Sequence, residues 1–175
     1  MQHLGTQPLE TARLRLDRLT LEKLHDYVHI WDDEPIDEAA VRARADSLEK
    51  RIAWFDRPAG YCWGLYRRQD GRLVGEIFAV NQDERTRSCE IAYGTAPAWR
   101  NQGYMSEALA AVLRFLLLQV GYNRVQAGHL VDNPASGRVM QKAGMVYEGT
   151  LRQDNLNPQG QLTDSKIYSM IRDDL

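Results

Sequence analysis

The chain has 175 residues, 43% of them hydrophobic and 26% charged, with a formal net charge of −2. That length suits a single domain over residues 1–175, large enough to bury a proper core. The charge balance provides no basic field for nucleic acid, no apolar run approaches the ~20 residues of a membrane span, and Met1 to Glu10 lacks the basic-then-apolar pattern of a signal peptide.

Along the chain, Thr11 to Leu19 alternates Leu14 and Leu16 with Arg13, Arg15 and Asp17, as a half-buried strand does. Thr20 is placed to cap a helix with Leu21, Leu24, Val28 and Trp31 on one face. Asp32-Asp33-Glu34-Pro35 ends it. His25 and His29 share a face of that helix, but no Glu or Cys completes a site, so surface or packing roles are expected and no metal. From Asp37 a second helix places Val41, Ala45, Leu48, Ile52 and Phe55 at spacings of four and three.

Tyr61 to Arg67 and Leu73 to Val80 read as strands around the hairpin turn Gln69-Asp70-Gly71-Arg72. Cys62 and Cys89, without CxxC spacing, read as small core residues in a reducing compartment, which points to the cytoplasm. Asn81 to Arg87 is a polar connection before the strand Ser88 to Thr95. The next helix turns Ala108, Leu109, Val112, Leu113, Leu116, Leu117 and Val120 inward, with Phe115 to Leu118 as a buried stripe. Arg124 to Leu130 is a strand. Asn133 caps a short helix with Pro134 at its first position, and Gly144 ends it. Tyr147 to Arg152 and Lys166 to Ile171 complete the strands, joined by the turn Asn157-Pro158-Gln159-Gly160. The order β α α β β β α β α β β predicts one mixed sheet with helices on both faces, an α/β (α+β) fold without repeat or linker.

The stretch Trp99 to Val112 stands out. A polar, glycine-containing turn enters a helix directly after a strand, so free backbone N–H groups sit at a helix N-terminus. Such an end carries roughly half a positive charge and suits an anion. Gly103 permits close backbone approach, and Arg100 can fork onto a phosphate. A diphosphate cradle and an ordinary βα turn are both compatible with these residues alone.

Arg100-x-x-Gly103-x-Met105 resembles the acyl-CoA motif (Gln/Arg)-x-x-Gly-x-(Gly/Ala) of the GCN5-related N-acetyltransferases (GNAT). The run Gln102-Gly103-Tyr104-Met105-Ser106-Glu107-Ala108-Leu109 is similar to the branch that contains the ribosomal-protein-alanine N-acetyltransferases. So is Asn133-Pro134-Ala135-Ser136-Gly137-Arg138-Val139-Met140-Gln141-Lys142-Ala143-Gly144-Met145. Met105 departs from the small residue usual at its position, although the N–H it contributes does not depend on the side chain. The resemblance implies a mostly antiparallel sheet whose central strands splay apart to admit the pantetheine arm of acetyl-CoA. It implies Arg100, Asn101, Gln102, Gly103, Tyr104, Met105 and Ser106 at the diphosphate. Backbone groups of Tyr93 and Thr95, with Asn133, would meet the pantetheine, and Lys142 and Arg138 could reach the phosphates.

Acetyl transfer from a thioester to an amine needs a deprotonated amine, a stabilised thiolate and a donor for the developing oxyanion. Positioning supplies much of the rest. Glu90, on the strand entering the motif, is the candidate base; the plainer reading is a paired or solvent-facing strand carboxylate. Ser136 resembles a serine near the thioester sulfur, yet it can equally satisfy helix N–H groups. Tyr168 is a candidate general acid, with core packing the favoured reading. The acceptor side offers Asp32-Asp33-Glu34-Pro35-Ile36-Asp37-Glu38, five carboxylates in seven residues, which could attract a protein N-terminus or small cationic amine or simply be solvated.

The reading is therefore an acetyl-CoA-dependent N-acetyltransferase. A non-catalytic acyl-CoA-binding sensor is the alternative. A nucleotide-binding enzyme is disfavoured, because neither Gly-x-x-x-x-Gly-Lys-(Ser/Thr) nor Gly-x-Gly-x-x-Gly follows a strand. Edge strands left free by the splay make a homodimer an expectation.

Overall fold

A computed structural model of the chain describes residues 1–32 and 36–175. The strands are β1 (Leu9–Glu10), β2 (Leu14–Arg18), β3 (Cys62–Arg67), β4 (Leu73–Asp83), β5 (Ser88–Thr95), β6 (Arg124–Leu130), β7 (Val146–Leu156) and β8 (Leu162–Ile171). They form one sheet in the order β1-β2-β3-β4-β5-β6-β8-β7. The helices are α1 (Leu24–His29), α2 (Glu38–Phe55), α3 (Tyr104–Arg114) and α4 (Pro134–Lys142).

Period-two alternation in the strands divides the apolar residues between two cores. On one face, Trp63 and Leu65 of β3, Ile77 and Ala79 of β4, and Cys89 and Ile91 of β5 pack with α3 and α4. On the other, Cys62, Tyr66 and Leu73 pack with Tyr27 of α1 and Leu48 and Phe55 of α2. The helices thus cover both faces, as the element order predicts.

All neighbouring strands run antiparallel except β5 and β6, which are parallel. That pair shares only three rungs, Ser88 with Arg124, Cys89 with Val125 and Glu90 with Gln126. Beyond Glu90, β5 stays with β4 as far as Thr95 opposite Gly75, while β6 follows β8 to Leu130. The two strands therefore splay, and a V-shaped gap opens in the middle of the sheet. The β4–β5 side of the gap is tightly set: a Cβ on Gly75 would stand 2.3 Å from the Gly94 carbonyl oxygen.

Several expectations are corrected in detail. Thr20 is not a side-chain cap; a 3-10 turn over Leu21–Lys23 precedes α1. Leu21 is exposed, and Tyr27 takes the buried position beside Val28. The second helix does start where expected, with the Asp37 carboxylate accepting from Ala40 N at 2.8 Å. After Arg114 the helix widens into a π segment, Phe115–Val120. A wider turn shifts the phase of the apolar face, so Phe115, Leu116 and Leu117 are buried while Leu118 is 43% exposed. β4, β7 and β8 run longer than their apolar runs suggest, because pairing carries polar residues along.

At the far edge, Arg124 of β6 grips Glu148 of β7 at 2.6 Å, and Ser169 of β8 donates to the same carboxylate at 2.7 Å. The guanidinium first, and then the hydroxyl, hold the Glu148 carboxyl down at about 2 from an ordinary 4.5. A depressed native value means stability present above pH 4.5 and lost as the pH falls toward 2. In Glu148→Gln this part of the acid loss should disappear, leaving a flatter dependence of unfolding free energy on pH, measured by urea denaturation at stepped pH. An unchanged acid limb would show that the contact contributes nothing to folding.

Candidate active site

α3 begins where the chain makes two left-handed steps. Asn101 has φ of 59° and Gly103 has φ of 79°, with Gly103 at the helix N-cap and no capping side chain. The first N–H to join the ladder is that of Glu107, which donates to the Gly103 carbonyl at 3.2 Å. The N–H groups of Tyr104, Met105 and Ser106 form the unsatisfied first turn, at the positive end of the helix dipole.

This turn is held from behind. Glu107 accepts from Thr11 Oγ1 at 2.5 Å, from Arg13 N at 2.8 Å and from Arg13 Nε at 2.7 Å. Arg13 Nη1 donates to the Gln102 carbonyl at 2.9 Å, and its guanidinium lies 4.6 Å from the Tyr104 ring centre. Burial pushes the Glu107 carboxyl up, but the Thr11 and Arg13 hydrogen bonds outweigh it and hold the group below the usual carboxylate range. A carboxylate at a helix N-terminus could compete with an anionic ligand. Here its charge is taken up by Arg13 on the β2 side, and the first turn is left open.

The cleft beside the turn has a volume of about 440 Å³ and is walled by β5, the α3 entry and α4, with Trp31 at one end. Arg100, Arg138 and Lys142 are its cations, and among the described residues no carboxylate lines it. Of the residues singled out in the sequence, the structure brings Tyr93, Thr95, Arg100, Asn101, Gly103, Tyr104, Met105, Ser106, Asn133, Ser136 and Lys142 to this lining. Met105 turns its side chain into the core, 4% exposed, so it can offer a ligand mainly backbone. Gln102 is placed differently. It lies outside the lining, with its amide donating to the Ala98 carbonyl at 3.1 Å.

The three candidate catalytic residues are not assembled together. Ser136 is on the cleft wall, in the first turn of α4, its N–H donating to Asn133 Oδ1 at 3.4 Å. Glu90 occupies the last rung before β5 and β6 part. Strand alternation turns it to the α1–α2 face, opposite to the side on which Tyr93 packs. It accepts from Asn81 Nδ2 at 2.9 Å. Asn81 has φ of 47° and sits where the β4–β5 register shifts. Tyr168 lies in the core, stacked on His129 at 5.8 Å, with its hydroxyl accepting from Gln141 Nε2 at 3.4 Å. It does not reach the cleft lining, so packing is the role the structure gives it.

Two groups escaped the sequence reading. Glu76 is 7% exposed in β4, receiving a hydrogen bond from the Tyr27 hydroxyl at 3.2 Å and paired with Arg51. A lone carboxylate within the apolar run Leu73 to Val80 was the available signal, since buried carboxylates occur almost always with partners. The Tyr93 side chain is the second: its hydroxyl meets Ser136 of α4, a long-range contact that no local pattern signals. Of the acidic stretch, Asp33 and Glu34 lie outside the described residues. Asp32 is bound to Arg44, Asp37 caps α2 and Glu38 pairs with Arg42 at 3.4 Å. Each described carboxylate there has a local structural partner.

A free helix N-terminus flanked by cations suits a diphosphate. The edge of β5 beyond Glu90, released from β6, can pair with amides lying along it. An elongated ligand with phosphates at one end and amides further along is the outline of an acyl-CoA, which places the molecule among acyl-CoA-dependent transferases. Comparison with known proteins agrees. The acetyltransferase (GNAT) domain family matches residues 13–146, and the chain belongs to it. It is thus an acyltransferase of the acetyl-CoA-dependent N-acetyltransferase class.

YoaA of Bacillus subtilis (strain 168), described as an uncharacterized N-acetyltransferase, is 29% identical over 94% of this chain and 96% of its own length. The [ribosomal protein uS5]-alanine N-acetyltransferase of Escherichia coli (strain K12) is 24% identical over 93% of this chain and 92% of its own. Among solved structures, the microcin C7 self-immunity acetyltransferase MccE, in complex with acetyl-CoA and AMP, superposes with a TM-score of 0.79 at 14% identity. That superposition covers 92% of this chain and 93% of MccE. It is a likeness of fold.

Gly103→Val tests the turn. A β-branched residue is strained at positive φ, and its Cβ would stand 3.4 Å from Arg13 Nη2, the side chain that holds the turn. The dissociation constant for CoA, read by calorimetry, should rise at least about tenfold, the equivalent of ~1.4 kcal/mol. Unchanged affinity would remove this turn from the site.

Proposed function

We propose that the chain, acting as one domain over residues 1–175, transfers the acetyl group of acetyl-CoA directly to a primary amine. The observation that carries this reading is the unsatisfied first turn of α3 opening onto the gap between β5 and β6. The thioester, when bound, supplies an acyl group already activated toward amines. Arg100, Asn101, Gly103, Tyr104, Met105 and Ser106 would hold the diphosphate, with Lys142 and Arg138 as further cations. The edge of β5 at Tyr93 and Thr95, together with Asn133, would align the pantetheine. Ser136 would face the leaving sulfur.

Glu90 is the proposed base. It stands where the strands part, on the α1–α2 face, so an amine entering from that side would meet it at the apex of the gap. A protein N-terminus, such as that of a ribosomal protein, is the acceptor we favour over a small cationic amine. The Escherichia coli relative is among several that bear a ribosomal-protein activity in their names, and the described acidic residues of the α1–α2 connection already have partners. A cytoplasmic location fits the two buried free thiols. A homodimer would use β7, an edge strand that exposes Val146, Tyr147, Leu151 and Leu156.

Titration of acetyl-CoA, desulfo-CoA and ATP by calorimetry tests the donor site. Binding of the first two without ATP is expected. Failure of acetyl-CoA to bind would refute the reading. With an acceptor identified from a panel of N-terminal peptides and polyamines, Glu90→Gln should lower kcat by about 10²- to 10⁴-fold while leaving acetyl-CoA affinity intact. Full activity in Glu90→Gln would exclude Glu90 as the base, and binding without transfer to any amine would favour a sensor.

A further inference from the structure

One contact in the cleft has no part in the scheme above. The hydroxyl of Tyr93, reaching from β5 to α4, lies 2.8 Å from Ser136 Oγ and 3.0 Å from the Ser136 carbonyl oxygen. A phenol has a single proton and cannot donate to both. In one arrangement Tyr93 donates to the carbonyl and accepts from Ser136, which spends the serine proton inside the pair. In the other, Tyr93 donates to Ser136 Oγ, and the serine proton is free to point into the cleft. Both satisfy the tyrosine, and rotation about two C–O bonds interconverts them.

We propose that Tyr93 is a positioning residue for the leaving group, acting through Ser136 as a two-state hydrogen-bond relay. The proposal rests on the reading that this cleft takes acetyl-CoA. With no negative charge on a bound sulfur, the pair closes on itself. When the C–S bond breaks and its electron pair stays on sulfur, Tyr93 turns its proton to Ser136 Oγ, and the serine proton turns to the thiolate. No proton changes owner; the thiolate is held by a donor that is itself polarised by a second donor. Chains of this kind strengthen one another where water is excluded, and hydrogen bonds to an ion are the strong ones.

Two further features fit this role. Burial pushes the Tyr93 phenol up to about 12, so it remains a donor throughout the neutral range. Ser136 sits in the first turn of a nine-residue helix whose start is fixed by Asn133, so the positive end of that dipole adds to the same effect. The competing explanation is that the contact only pins α4 against β5. The two differ in what they predict for a sulfur in the cleft.

The test uses free CoA bound to the intact protein and needs no acceptor. The thiolate of bound CoA is titrated by its ultraviolet absorbance in wild type, Tyr93→Phe, Ser136→Ala and the double variant. In wild type the bound thiol should be more acidic than in free CoA. Tyr93→Phe keeps the ring and should reduce that acidity by about tenfold, the scale of one hydrogen bond to a charged group. Ser136→Ala should reduce it at least as much, with no further loss in the double variant. Affinity for desulfo-CoA should be the same in wild type and Tyr93→Phe.

Two results would overturn the inference: a wild-type thiol no more acidic than free CoA, or a Tyr93→Phe protein whose bound thiol stays as acidic as in wild type. Absence of CoA binding to wild type would instead refute the donor site itself. The two failures are therefore distinguishable.

Discussion

Every feature of the candidate site depends on the early end of one ladder. β5 and β6 are the only parallel neighbours among the described strands, and they share three rungs before they part. On one side β4 carries β5 on to Thr95, and on the other β8 carries β6 on to Leu130. Each strand has a better-paired neighbour on its outer side, so the middle of the sheet opens. The opening frees backbone groups of β5 and puts Glu90 at its apex.

The helix that joins these two strands supplies the anion site. A crossover between parallel strands places a helix N-terminus near the C-terminal end of the first strand, which is also where the strands separate. α3 therefore starts beside the gap for topological reasons, and the left-handed conformation at Gly103 lets the chain turn into it. The Thr11, Arg13 and Glu107 cluster then fixes the turn to the β2 side of the sheet. Residues about ninety positions apart in the chain thus hold one loop in place.

Charge is sorted between the two faces. The lining of the donor cleft carries cations and, among the described residues, no carboxylate. Glu76 and Glu90 face α1 and α2 instead. Trp31 bridges the two regions: it lines the cleft, stands over Gly94 and packs edge-on against Tyr27, the partner of Glu76.

Most of the architecture is legible in the chain alone. Period-two and period-3.6 patterns, the Asp-Gly turn and the Asn133–Pro134 helix start are local signals, and local physics writes them plainly. The turn from Arg100 to Ser106 was legible for the same reason, since a glycine before an amphipathic helix says where free N–H groups will be. The remainder emerges only in the folded molecule. Gln102 turns back on Ala98, Tyr168 stacks on His129 in the core, and Tyr93 meets Ser136. The Tyr168 and Tyr93 contacts depend on elements distant in the chain, whereas Gln102 reaches back only four residues; strand register, not composition, settles which side chains share a face. The longest of these dependencies is the splay itself. It arises because β8, the last strand, inserts beside β6, a placement that no segment of the sequence encodes alone.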